Sequence, residues 1–157
     1  MTDAVKSKAK RRRPNWFLWW QVDPYELKHQ VEDYDRLPLN KSARGISMML
    51  MVGSSLLGLV IYVIFLRQYG GLIDVAIGVG LGLCMLGRNR WSKIAGMAYW
   101  TLEKLVGLVA GVFGTLHGAA SVGQLIWWAV FMRFFYLAYQ VERERRRSTA
   151  LVAEVFS

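Results

Sequence analysis

Apolar residues along the chain concentrate in four blocks, which are separated by short polar or glycine-rich turns. A helix that crosses the roughly 30 Å hydrocarbon core of a membrane needs about 17 to 25 mostly apolar residues. The second block, residues 72–86, is the shortest and reaches that length only with its glycine-rich flanks. The pattern predicts an all-α integral membrane protein, an antiparallel bundle of four transmembrane helices at about 46–66, 70–87, 94–117 and 124–141.

Basic residues alternate with these blocks. Of the 20 Lys and Arg residues, ten precede the first block, three lie between blocks two and three, and four follow block four. Only Arg67 lies between blocks one and two, and none lies between blocks three and four. Because cytoplasmic loops are enriched in Lys and Arg, the alternation predicts that both termini are cytoplasmic. This topology, with attraction to anionic lipid head groups, explains the formal net charge of +9 without nucleic-acid binding.

The charge and apolar patterns divide the chain into three regions. Residues 1–45 form a basic, Trp-rich cytoplasmic or interfacial segment, residues 46–141 form the transmembrane domain, and residues 142–157 form a basic cytoplasmic tail. Indole rings favour the head-group layer, where the ring is in an apolar environment and the N–H is hydrated. The first region is therefore expected to be anchored at the interface by three tryptophans, Trp16, Trp19 and Trp20.

An amphipathic helix is predicted at about 24–36, within the first region. Asp23 can accept hydrogen bonds from the free N–H groups of the first turn, and Pro24 suits the first helical position. Leu27, Val31 and Tyr34 recur at helical spacing. We expect this interfacial helix to lie along the membrane surface, or alternatively on a neighbouring protein.

Glycines lie on one face of the predicted second and third spans. In the third span Gly107, Gly111 and Gly114 share a side, and the opposite side is aliphatic. In the second span Gly78 and Gly82 are one turn apart. Small residues at this spacing allow helix backbones to approach closely inside a membrane. We therefore predict that these glycines pack against other helices of the chain, with contact between two copies as the alternative.

Charged residues within the predicted spans need partners, because a lone charge near the bilayer centre costs at least about 2.5–3.5 kcal/mol. Counted from the cytoplasmic ends of their helices, Glu103 and Arg133 have similar depths, and we predict a buried ion pair between them. The neighbouring Lys104 can also form an ion pair with Glu103. At the opposite membrane face Asp74 and His117 have similar depths and form a candidate polar site.

The fourth span presents large aromatic side chains, and these need a lipid or protein partner. The residues expected at this contact are Trp127, Trp128, Phe131 and Phe135. Lipid is the default occupant, and another subunit, a quinone or a pigment are the alternatives that the sequence leaves open.

Two functions remain open, and neither is catalytic. No nucleophile with a base, no metal-ligand set and no nucleotide loop is present in the sequence, so we predict no enzyme activity and no cofactor. The first interpretation is an accessory or structural subunit of a larger membrane complex, which docks through its aromatic and glycine-rich faces. The second is a small homo-oligomeric transporter or channel with a polar path that involves Asp74, Glu103 and Arg133. The compact loops and the charge bias suit a bacterial inner membrane, with the mitochondrial inner membrane as the alternative.

Overall fold

The described part of the chain is entirely helical. The computed structural model describes residues 21–65, 67, 69–113 and 118–155, with residues 62, 65, 70, 110–113, 118–121 and 155 described by their backbone alone. Within these ranges there is no strand. The five α-helices are α1 (Pro24–Glu32), α2 (Ala43–Leu59), α3 (Leu72–Cys84), α4 (Arg90–Phe113) and α5 (Gly118–Val155). A π-helical segment, Val60–Phe65, continues α2, and a 3₁₀ turn, Tyr69–Gly71, precedes α3.

Polar side chains fix the starts of α1 and α2. The Asp23 carboxylate accepts a hydrogen bond from the backbone N–H of Tyr25 at 3.0 Å, and Pro24 occupies the first turn. The hydroxyl of Ser42 accepts from the N–H of Gly45 at 3.1 Å in the same way at α2. Both side chains satisfy N–H groups that a helix start leaves without an intrahelical partner. α1 ends at Glu32, earlier than the predicted boundary at 36.

Among the described residues, one helix is long and apolar enough to cross a membrane. It is the stretch Val122–Glu154 of α5, 33 residues long. α2 and α3 are shorter apolar helices of 17 and 13 residues. α4 has 24 residues, but Glu103 and Lys104 lie in its middle and lower its hydropathy. α5 does not end at the predicted boundary of 141, because helical geometry continues through the charged residues that follow.

α2 and α3 approach each other closely at two glycines. A Cβ atom placed on Gly78 would lie 2.1 Å from the Ser55 Oγ, and one on Gly82 would lie 2.7 Å from Val52 Cγ2. A larger residue at either position would require Ser55 or Val52 of α2 to shift. The structure thus places Gly78 and Gly82 of α3 against α2 of the same chain.

The interior has two apolar clusters. The central cluster joins α2, α4 and α5 with the turn after α3, and contains Met51, Met85, Trp100, Phe131 and Phe135. The second cluster joins α1 to α2 and α5, and contains Tyr34, Ala43, Leu137, Ala138 and Val141.

The placement of α1 differs in part from the expectation of a helix on the membrane surface or on a neighbouring protein. Leu27 and Val31 pack against the buried cluster that includes Leu137 and Ala138 of α5. The apolar stripe of this helix is therefore partly covered by the chain itself, and no residue of α1 is fully buried. The expected contact with the membrane surface stays a prediction.

Candidate functional site

A cavity of about 760 Å³ lies between α2, α3, α4 and α5 in the described structure, and we call it the central cavity. This volume lies within the roughly 300–1,000 Å³ of small-molecule sites. Its walls combine aliphatic and aromatic side chains with a few polar groups, and the lining residues are Met49, Leu50, Met51, Gly53, Ser54, Ser55, Leu57, Gly58, Ile61, Asp74, Val75, Tyr99, Trp100, Glu103, Lys104, Gly123, Gln124, Trp127 and Phe131.

An ion pair lies on the α4 wall of the central cavity. The Lys104 Nζ is 2.9 Å from the Glu103 Oε1, and it also lies 4.1 Å from the centre of the Trp100 ring. The two side chains are partly shielded, with exposed fractions of 20% for Lys104 and 34% for Glu103. An ammonium group between a carboxylate and an indole face is held by both charge and the ring quadrupole. Glu103 and Trp100 thus form a place on the cavity wall where an ammonium group, here that of Lys104, is bound.

A second carboxylate, Asp74, lies where α3 meets the central cavity. The hydroxyl of Tyr99 donates to the Asp74 carboxylate and is 3.1 Å from the Asp74 backbone oxygen. This contact ties α3 to α4. The predicted partner of Asp74, His117, lies outside the described residues, so the Asp74–His117 site stays a prediction.

Two buried polar atoms at the central cavity have no hydrogen-bond partner within the described residues. They are the amide oxygen of Gln124 and the indole nitrogen of Trp100, and Trp100 is only 4% exposed. The Gln124 oxygen lies against α4, since a Cβ atom placed on Gly107 would be 3.3 Å from it. A buried acceptor or donor without a partner costs about 1–3 kcal/mol. Both atoms have almost no accessible surface, so they lower the stability of the α4–α5 contact and offer no hydrogen bond to a ligand in the cavity.

The predicted ion pair between Glu103 and Arg133 is not formed. The Arg133 Nη2 instead lies 4.0 Å from the Glu26 Oε2 of α1, and Glu103 binds its neighbour Lys104. The register of α4 and α5 gives the reason, because Trp100 stacks on Phe131 and Gly107 contacts Gln124. In this register the two charges are offset by about five residues, or roughly 7 Å along the helix axes.

The predicted aromatic contact surface of α5 is divided between the interior and the exterior. Phe131 is 4% exposed and stacks on Trp100 with ring centres 4.1 Å apart, and Phe135 is fully buried. Trp128 is half-buried and donates its indole N–H to Thr101 at 3.2 Å. Only Trp127 is largely exposed, at 59%. The prediction that Phe131 and Phe135 meet lipid or a partner is therefore corrected, because these rings fill the space between α4 and α5.

A polar cluster lies at the end of the helix bundle opposite Tyr69 and joins four parts of the chain. It was not predicted from the sequence. Its centre is Glu142, which is 1% exposed. The Tyr34 hydroxyl donates to Glu142 Oε2 at 2.9 Å, and the guanidinium groups of Arg146 and Arg145 lie 3.5 Å and 3.9 Å from Oε1. We call this group, together with Lys93, the basal cluster. The available signal was the acid at the boundary between the last apolar block and the basic tail.

Two basic side chains enclose the Tyr34 ring. The guanidinium carbons of Arg44 and Arg145 lie 4.2 Å and 4.3 Å from its centre. Burial raises the pKa of the Tyr34 hydroxyl above its usual range, and the hydrogen bond to Glu142 and the charge of that carboxylate raise it further. Arg44 acts in the opposite direction. The hydroxyl therefore stays protonated and remains a donor to Glu142.

Lys93 is the most deeply buried cation in the described residues, with an exposed fraction of 1%. Its ammonium group donates to the backbone oxygen of Gly87. Burial lowers the pKa of Lys93, the negative charge of Glu142 raises it, and the nearby Arg44 and Arg146 lower it. Lys93 thus depends on Glu142 for compensating charge.

The remaining predicted contacts are only partly within the described residues. Trp16, Trp19, Trp20 and Gly114 lie outside them, and for Gly111 the backbone alone is described. Among the described residues, no group of three or more His, Cys, Asp or Glu side chains is arranged to hold a metal ion.

Comparison of the chain with protein-family models, curated proteins and solved structures gave no significant match. The central cavity and the basal cluster are therefore the features of the described structure that bear on function.

Proposed function

We propose that the chain is a four-span membrane protein in which α2 to α5 cross the bilayer. Large apolar side chains are strongly exposed on all four helices, for example Leu57, Ile73, Leu102 and Ile126, each with an exposed fraction above one third. Soluble monomers rarely expose contiguous apolar patches of this kind. α2 and the π-helical segment that continues it extend over about 30 Å, and the 3₁₀ turn lengthens α3 at one end.

The proposed topology places both termini in the cytoplasm of a bacterium, with a bacterial inner membrane as the location and the mitochondrial inner membrane as the alternative. Supporting it, basic residues from three separate regions meet at one end of the bundle. Arg88 forms an ion pair with Asp35 at 3.1 Å, and Arg146 donates to the backbone oxygen of Arg88 at 2.7 Å. Positive charge gathered at one end is typical of the cytoplasmic side, where anionic head groups attract it.

Within this membrane protein we propose that the central cavity is the binding site of a small transporter or carrier, which functions as a homo-oligomer without catalysis or cofactor. The observation that carries this proposal is a cavity of about 760 Å³ with Asp74, Glu103 and Lys104 on its walls. Charged groups at this depth are costly, and they are typical of substrate and ion paths. Arg133, the third residue of the path predicted from the sequence, contacts α1 instead.

A second candidate function is the accessory subunit of a membrane complex. It is favoured by the extension of α5 beyond Glu142, where Leu151 and Val152 have exposed fractions of 56% and 57%. The surfaces first assigned to docking are largely occupied within the chain, since Phe131, Phe135 and Gly82 are buried. A docking role would therefore use the α5 extension and the exposed Trp127 instead.

Two glycines provide a matched test of the transporter proposal. A Cβ atom on Gly53 or on Gly80 would meet nothing within 4 Å, but only Gly53 lines the central cavity. Gly53→Trp should therefore fill the cavity, and Gly80→Trp should add an equal side chain outside it. The measurement is thermal unfolding in mild detergent with a panel of membrane-permeant amines, carboxylic acids and neutral aromatic compounds. Ligands that bind the native state raise the Tm.

We expect at least one compound to raise the Tm of the wild type and of Gly80→Trp, but not that of Gly53→Trp. The proposal fails if no compound stabilises the wild type, or if Gly53→Trp responds as the wild type does. The mass of the complex extracted in the same detergent separates the two functions. A defined assembly of this chain alone supports the carrier, and a defined assembly with other proteins supports the accessory subunit.

A further inference from the structure

The central cavity has more negative than positive charge. Its described lining contains two carboxylates, Asp74 and Glu103, and one cationic side chain, Lys104. Lys104 is paired with Glu103 at 2.9 Å. Among the described residues, no cationic side chain lies within 4.0 Å of the Asp74 carboxylate, which receives a neutral hydroxyl from Tyr99. Within the described residues, the Asp74 carboxylate therefore has no compensating cation.

Aromatic faces in the same cavity favour a cation. The Trp100 ring already has the Lys104 ammonium 4.1 Å from its centre, and Tyr99, Trp127 and Phe131 also line the walls. The negative face of an aromatic ring attracts a cation by about 2 kcal/mol or more when both are removed from water.

We propose that the central cavity binds an amphipathic organic cation. Its positive group lies near Asp74 and Glu103, and its apolar body lies against the exposed lining residues Leu57, Ile61 and Trp127. Lys104 competes with the ligand for Glu103 and for the Trp100 ring, because it is itself an ammonium group in that position. This assignment rests on the proposed carrier function and names the class of its substrate.

The test compares two ions of nearly equal size and opposite charge. Tetraphenylphosphonium and tetraphenylborate are each dialysed to equilibrium against the full-length protein in nanodiscs of neutral phosphatidylcholine. Empty nanodiscs are the control for partition into lipid. Neutral triphenylphosphine oxide measures apolar binding without charge. We expect tetraphenylphosphonium to bind at least about tenfold more tightly than either of the other two compounds.

Two substitutions in the cavity should change this affinity in opposite directions. Asp74→Asn keeps an acceptor for Tyr99 but removes the uncompensated charge, so tetraphenylphosphonium binding should weaken by about tenfold. Lys104→Met removes the competing ammonium, so binding should tighten. The matched controls are Glu32→Gln and Lys28→Met. Glu32 and Lys28 form an exposed ion pair outside the cavity, in which the Lys28 Nζ lies 3.6 Å from the Glu32 Oε1. Neither control should change the affinity.

Four outcomes would contradict the assignment. Tighter binding of tetraphenylborate, or unchanged binding in both Asp74→Asn and Lys104→Met, would overturn the assignment of a cation. If all three compounds bind equally and Gly53→Trp abolishes this binding, the cation assignment is overturned but the carrier proposal is not. If no compound binds above empty nanodiscs and none raises the Tm, both the cation assignment and the carrier proposal are refuted.

Discussion

Glu142→Gln is the substitution that most directly perturbs the connection between α1, α4 and α5. Glu142 has an exposed fraction of 1% and is the negative centre of the basal cluster. Glutamine keeps the shape and can still accept from the Tyr34 hydroxyl, which lies 2.9 Å away. The substitution removes only the charge, and it leaves the buried ammonium of Lys93 beside the guanidinium groups without a compensating carboxylate.

The cost can be estimated from these contacts. Removing one partner of a buried ion pair destabilises proteins by about 3–5 kcal/mol, because the other charge stays buried. The lower end applies here, since the Arg146 side chain is 53% exposed and can turn toward water. We expect a loss of about 3 kcal/mol for Glu142→Gln and a smaller loss for Lys93→Met. The double variant should be more stable than Glu142→Gln alone, because no buried cation is then left uncompensated.

The assay is reversible unfolding in mixed micelles with increasing sodium dodecyl sulfate, followed by tryptophan fluorescence. A double-mutant cycle of Glu142→Gln and Lys93→Met gives the interaction free energy directly. The control cycle uses the exposed pair Glu32→Gln and Lys28→Met, for which we expect less than about 1 kcal/mol. Additive losses at Glu142 and Lys93, with no recovery in the double variant, would refute the argument that these charges compensate each other.

Two further predictions concern packing and pH. Gly78→Leu should destabilise the protein by about 1–3 kcal/mol, and Gly80→Leu should destabilise it much less. The reason is that a Cβ on Gly78 would lie 2.1 Å from Ser55 Oγ, whereas one on Gly80 would meet nothing within 4 Å. Equal losses in the same unfolding assay would contradict the α2–α3 contact. The raised pKa of Tyr34 means that the native state keeps a proton that the unfolded chain loses, so stability should fall as pH rises above about 10. The lowered pKa of Lys93 has the opposite sign, so stability should rise with pH below about 10.5. Tyr34→Phe should remove the fall and Lys93→Met the rise, and unchanged pH profiles in both variants would be evidence against these assignments.

The sequence predicted local features well, because they depend on neighbouring residues. The start of α1 at Asp23 and Pro24 follows from capping chemistry, and the structure has both residues in those positions. The apolar blocks and the glycine spacing of α3 likewise anticipate helices over most of the predicted ranges. Boundaries at charged residues were less predictable, since α5 continues as a helix past Glu142.

Relations between helices could not be obtained from the same patterns. Counting residues from the cytoplasmic helix ends gives a depth in the membrane for Glu103 and for Arg133. It does not give the axial offset of α4 relative to α5, or the rotation of one helix against the other. Stacking of Trp100 on Phe131 sets that register, and it turns Arg133 toward Glu26. The basal cluster was missed for a related reason. Tyr34 and Glu142 are 108 residues apart, and only the fold brings them within hydrogen-bond distance.

The membrane topology is the central claim, and cysteine labelling in intact bacterial cells tests it most directly. In a Cys84→Ser background, a single cysteine replaces Tyr69 at one end of the bundle or Asn89 at the other, and both positions are exposed. A membrane-impermeant maleimide is added before or after permeabilisation of the inner membrane. We expect Tyr69→Cys to react with the maleimide before permeabilisation and Asn89→Cys to react only after it. Reaction of both cysteines under the same condition would contradict a bundle in which α3 crosses the membrane.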